Sequence, residues 1–384
     1  MSARHARILF AAVLATSVST TSFAAARDTA FKIFNRLNGV PPSAAKLDEL
    51  TTLVESGDLD GAALAAINDA GGMFYNITLK NLVTRWSNTD KSPRVALNDY
   101  VATVIGMVRD DVPFDQVLSG DIVYTGNTTG APAYSLASNA HYEFLETNSA
   151  DLSKVLTKQT QSALSPTLPA DATAGVLTTR GFAEAYYKAG TNRRAVAFTL
   201  DTFLCRELES LSDTTRSDFR VRRDVPRAPG GDSALFRNRC AGCHAGMDAF
   251  GGAFAYYDWD DTTAALIYTP GTVRAKLNRN SQEFPDGYET VDDSWLNNWT
   301  VGQNSSLGWN GAGSGNGIKE LGEMFTASDA FATCMAKRAV QAMCLRVPTE
   351  KADLDAVAGI AEDLQKGSFS MKGAFASAAA YCVE

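Results

Sequence analysis

Five consecutive residues carry the most chemistry in this chain: Cys240, Ala241, Gly242, Cys243 and His244. The order C-x-x-C-H is the attachment signature of a c-type haem. Two thiols three positions apart can reach the two vinyl groups of one porphyrin and form thioethers. The imidazole that follows can then take the iron as proximal ligand. Ala241 and Gly242 are small enough to let the backbone pass close to the macrocycle edge. A zinc site built on thiolates would call for a second C-x-x-C, and the sequence has none. A thioredoxin-like dithiol would call for flanking βαβ alternation, which is missing on both sides. The expected cofactor is one covalent haem c, held by Cys240, Cys243 and His244.

A haem iron has a sixth position. Met1 to Ala26 reads as an export signal, so His5 leaves with it and the mature chain keeps two histidines, His141 and His244. Bis-histidine ligation therefore requires His141, and methionine is the alternative. Met247 follows His244 too closely to cross the ring. Met73, Met107, Met335 and Met343 lie on apolar helical stripes and read as core, and Met371 opens the last helix. Met324 sits where a glycine-rich loop meets a helix and is the favoured sixth ligand, with His141 or an open position as the alternatives.

The expected signal has Arg4 and Arg7 at its front, an apolar stretch from Ile8 to Val18 too short to anchor in a bilayer, and A-x-A-like sites at Ser22 to Ala26. Later in the chain no run of about 18 apolar residues occurs, so no transmembrane segment is expected after cleavage. C-type haem attachment takes place outside the inner membrane of bacteria, so signal and motif support each other and imply a periplasmic or secreted protein. The remaining cysteines, Cys205, Cys334, Cys344 and Cys382, are even in number, as disulfides in an oxidising compartment would require. Three pairings are open. Antiparallel C-terminal helices would bring Cys344 and Cys382 to one end and favour that pair. The formal net charge of -8 argues against non-specific nucleic-acid binding and permits docking on a basic redox partner protein.

The elements that must position the motif read as mainly α-helical. Leu47, Leu50, Leu53 and Val54 share one helical face, after a turn in which Gly39 ends one helix and Ser43 caps the next. Phe74 to Trp86 and Tyr100 to Val108 suggest two more buried helices, the second ended before Pro113. Ser119 to Ala174 is rich in turn formers, and a domain boundary is expected near Ser165. Arg193 to Leu208 reads as a helix. Trp295 to Gly317 carries too many glycines for a continuous helix and reads as a loop laid over the haem. Ser328 and Thr349 read as caps of two further helices, and a last one covers Met371 to Tyr381. The expected organisation is a signal at 1–26, a helical N-terminal domain at 27–165 and a cytochrome-c-like helical domain with long loops at 166–384.

Three stretches also carry a family resemblance: Asn35 to Pro42, Leu97 to Val101 and Val112 to Asp115. After the motif come Met247-Asp248, Gly251, Gly252, Phe254 and Tyr257-Asp258, and later Phe331 to Arg338. Together they resemble an uncharacterised group of exported cytochrome-c-like proteins, the cytochrome-c-associated domains abundant in planctomycetes and also found in proteobacteria. Ala249 stands where that group usually has proline, which implies a looser turn there. The group brings no catalytic residues with it. The resemblance and the motif together imply an exported monohaem cytochrome that transfers single electrons. The alternatives are a haem enzyme of peroxidase or oxygenase type, a redox subunit of a larger enzyme complex, or a binding module with a structural haem.

Overall fold

The computed structural model describes residues 23–91 and 94–383. The expected signal therefore lies outside the described residues except at 23–26, which begin the first helix. The chain is mainly α-helical, and strands among the described residues are confined to small two-stranded antiparallel sheets.

In chain order, α1 spans 23–38, followed by α2 (Ala44–Glu55), α3 (Leu59–Ile67), α4 (Lys80–Ser87) and α5 (Asp99–Arg109). Strand β1 (Val123–Gly126), α6 (Ala140–Thr147), β2 (Leu156–Gln159), α7 (Arg180–Tyr186) and α8 (Arg193–Leu204) come next. The motif opens α9 (Ala241–Gly251). Strands β3 (Tyr257–Asp260), β4 (Ala265–Tyr268), β5 (Ser294–Leu296) and β6 (Ser314–Asn316) precede α10 (Gly317–Thr326), α11 (Asp329–Cys344), α12 (Lys351–Lys366) and α13 (Met371–Tyr381).

The chain divides into two compact units. One takes the chain up to Leu79, Ala336–Ile360 and the chain from Met371 onward; the other takes Lys80–Met335 and Ala361–Ser370. Ser165, where a boundary was expected, falls inside the second unit. A boundary read from composition assumes that each unit is continuous in sequence, whereas here the C-terminal helices return to the N-terminal ones.

In the first unit, Gly39 takes φ 68° and its N–H reaches Asn35 O, ending α1, and Ser43 Oγ accepts the Lys46 N–H at the start of α2. Asn38 is fully buried and uses its whole amide. It donates to Phe34 O and Ala66 O and accepts the N–H groups of Met73 and Phe74. A disulfide joins Cys344 to Cys382, the pair favoured from the sequence. Helices α3 and α13 pack together, both with buried alanines that permit close approach.

In the second unit, α5 is buried along nearly its whole length and capped by Asn98, whose Oδ1 accepts the Val101 N–H at 3.0 Å. The buried Asp99 carboxylate accepts the N–H groups of Arg180 and Gly181 at 2.6 and 2.8 Å and so fixes the start of α7. Ser328 Oγ accepts the Phe331 N–H near the start of α11, as a cap there should. Helix α8 is tied at both ends. Asn192, left-handed at φ 59°, donates to Phe254 O and Tyr257 O. Cys205, left-handed at φ 53°, stops the helix four residues before the expected Leu208 and forms a disulfide with Cys334. Helix α8 packs on α9, so these two anchors set what α8 presents to the motif.

Candidate functional site

A π-helical turn, Phe236–Cys240, runs directly into α9, with the Ala241 N–H bonded to Phe236 O. Such turns displace the residues that follow by one helical position and recur at functional sites. Here the turn delivers Cys240 to the edge of an apolar cluster of Val221, Val225 and Phe236, against which it packs half-buried. Cys243, three residues on, has its Sγ 3.8 Å from Leu208 O, and burial pushes its thiol pKa up. Both thiols are free, whereas the other four cysteines are paired. Arg227 lies over the rings of Phe236 and Phe284, at 4.8 and 4.2 Å, and borders a cavity of about 380 Å³ shared with Phe219 and Tyr288.

His244 is held by a residue of its own helix. Its Nδ1 lies 3.3 Å from Oδ2 of Asp248, one turn further along the same face. The ring is 22% exposed, and Nε2 has no partner among the described residues. The Asp248 carboxylate itself is wholly inaccessible. Arg193 Nε donates to its Oδ1 at 2.6 Å and Nη2 to its Oδ2 at 3.0 Å, and the Arg222 N–H reaches Oδ2 at 3.2 Å. Burial alone would raise the pKa of this carboxyl, but the His244 hydrogen bond and the charges of Arg193 and Arg222 outweigh it, holding Asp248 well below the usual carboxylate range.

Arg193 is held in turn by Asp224, through two parallel hydrogen bonds of 2.7 Å each. Burial lowers the pKa of the Arg222 guanidinium, whose Nη1 donates to Thr191 O at 2.8 Å. Two arginines and two aspartates thus form a charge-balanced cluster under the imidazole. Gly251 leaves room beside it, since a Cβ there would stand 2.2 Å from Arg222 Nη2.

The tryptophan- and glycine-rich stretch expected to cover a haem packs on α9 itself. Asn298 Nδ2 donates to Ala245 O at 2.7 Å, and Trp299, fully buried, lies so close that a Cβ on Gly246 would be 2.1 Å from its ring. Phe250 meets Trp299 and Phe325 edge-on, both at 5.2 Å. Ala249 is no turn residue. It is buried in the helix interior, and α9 runs on to Gly251 because alanine, unlike proline, keeps the helical N–H.

The remaining candidates lie on other elements. Met324 is buried on α10, and its Sδ accepts a hydrogen bond from Asn297 Nδ2 at 3.5 Å. His141 is buried on α6 with both nitrogens in use. Nδ1 donates to Pro132 O at 2.6 Å, and Nε2 accepts the Gly126 N–H at 2.9 Å. The structure therefore places Cys240, Cys243 and His244 together where the π-helical turn runs into α9 and gives His141 a structural task. Among the described residues no group of three or more His, Cys, Asp and Glu side chains is arranged to hold a metal ion unaided.

Sequence reasoning named Asp248 only through a resemblance and passed over Arg193 and Asp224. An aspartate four residues after a histidine on a helix was the available signal for the first. The other two are distant in sequence and gave none.

The donor set suits a c-type haem: two free thiols at i and i+3, then an imidazole with one nitrogen anchored and the other open. Among the described residues no helix is long and apolar enough to cross a membrane. Comparison with protein-family models finds no match, and comparison with curated proteins and with solved structures finds none either.

Proposed function

We propose that the chain is an exported monohaem c-type cytochrome of the cytochrome-c-like group it resembles, passing single electrons to a redox partner protein. The observation that carries this reading is the state of the motif. Cys240 and Cys243 are both free beside an imidazole with an open Nε2, while the other four cysteines are consumed in disulfides. Those disulfides are consistent with an oxidising compartment and support export.

When bound, the haem supplies an iron that exchanges one electron at a time. The chain's own residues do the rest. Cys240 and Cys243 would hold the ring at two points by thioether bonds. His244, with Nε2 open, would hold the iron. Cys240's apolar neighbours Val221, Val225 and Phe236 keep water from one edge, which tunes the potential through burial. Met324 would be the sixth ligand, as expected from the sequence. Its sulfur is engaged by a hydrogen bond from Asn297 alone among the described residues, and His141 has no nitrogen left to compete.

The test is covalent attachment. The double variant Cys240→Ala, Cys243→Ala, matured alongside the wild type, is expected to lose all haem that survives a denaturing gel. Retention at the wild-type level rejects the reading.

A further inference from the structure

We propose that Asp248 is the positioning residue of the axial histidine, and that its buried carboxylate lowers the haem potential, biasing the iron toward the ferric state. The inference rests on the haem reading above and goes beyond it by assigning the sign of the redox tuning.

Three observations carry it. First, His244 and Asp248 are one helical turn apart, and the 3.3 Å contact engages Nδ1, which turns Nε2 outward. An imidazole held this way has its tautomer and ring orientation fixed before any metal arrives, as second-shell carboxylates do in metal sites. Second, Asp248 cannot swing away. Arg193 grips both of its oxygens, Asp224 grips Arg193, and α8 is anchored at Asn192 and at Cys205. Third, a backbone carbonyl would orient the ring equally well without bringing a charge. Asp248 brings a full negative charge into contact with the ligand, in a place water does not reach. Oxidation of the iron adds positive charge, so a fixed anion against its ligand favours the oxidised form. The cluster of Arg193, Arg222, Asp224 and Asp248 is balanced; removing the Asp248 charge leaves it net positive.

The experiment is a spectroelectrochemical titration of haem-loaded wild type and Asp248→Asn. The variant is expected to shift the ferric–ferrous equilibrium toward ferrous by at least tenfold, about 59 mV for one electron. A merely structural role would lower stability without moving the potential, so an unchanged potential at normal haem content overturns the proposal and leaves the haem reading intact. If the variant does not fold, the wild type decides. After photolysis of its ferrous carbon monoxide adduct, the iron–histidine stretch is expected above that of haem with free imidazole, and a stretch at or below that value overturns the proposal. A wild type that carries no haem removes both readings together.

Discussion

His141 and His244 are the same side chain put to opposite uses within one unit of the molecule. On α6, the His141 ring is nearly enclosed and bonded at both nitrogens to backbone, closing the chain between Gly126 and Pro132. On α9, the His244 ring is part-exposed, anchored at one nitrogen by a buried carboxylate, with the other nitrogen open. Burial alone would rank His141 as the more constrained histidine and the better candidate site. The partners reverse that ranking. A ring whose nitrogens both serve the backbone has nothing to give an iron, while a ring held by one charged partner has one nitrogen oriented and unspent.

The comparison can be pressed at Met324. Met324→Ala removes a buried methionine from α10 and is expected to cost about 2–5 kcal/mol in chemical denaturation. In the ferric haem-loaded protein it should also abolish the weak far-red absorption that marks sulfur ligation. Stability loss with that band intact would return Met324 to the core and leave the sixth position to another group.

His141→Ala has the smaller expected effect. It strands the Gly126 N–H and the Pro132 carbonyl, a cost of about 2–3 kcal/mol. The visible and electron-paramagnetic spectra of the haem should not change. Loss of low-spin character in this variant would break the comparison, because it would make His141 a ligand after all.

How much of this was legible in the sequence depended on distance along the chain. The motif, the Ser43 and Ser328 caps and the helical stripe around Tyr100 are local, and local physics determines them. The end of α8 was misjudged because Cys205 adopts a left-handed conformation tied to Cys334, a partner 129 residues away that no helical periodicity reports. The Arg193–Asp224–Asp248 cluster was invisible for the same reason: its members are ordinary surface charges until three separate segments converge. The division into units escaped because α13 packs back onto α3, while composition is read in one direction.

The central claim is that Cys240, Cys243 and His244 hold a haem. A pyridine haemochrome spectrum of the full chain, expressed with its leader in a host that matures c-type cytochromes, tests it most directly. The account predicts the α-band of a doubly thioether-linked haem, at about one haem per chain, as one C-x-x-C-H requires. A folded, correctly disulfide-bonded protein with no haemochrome signal would contradict it.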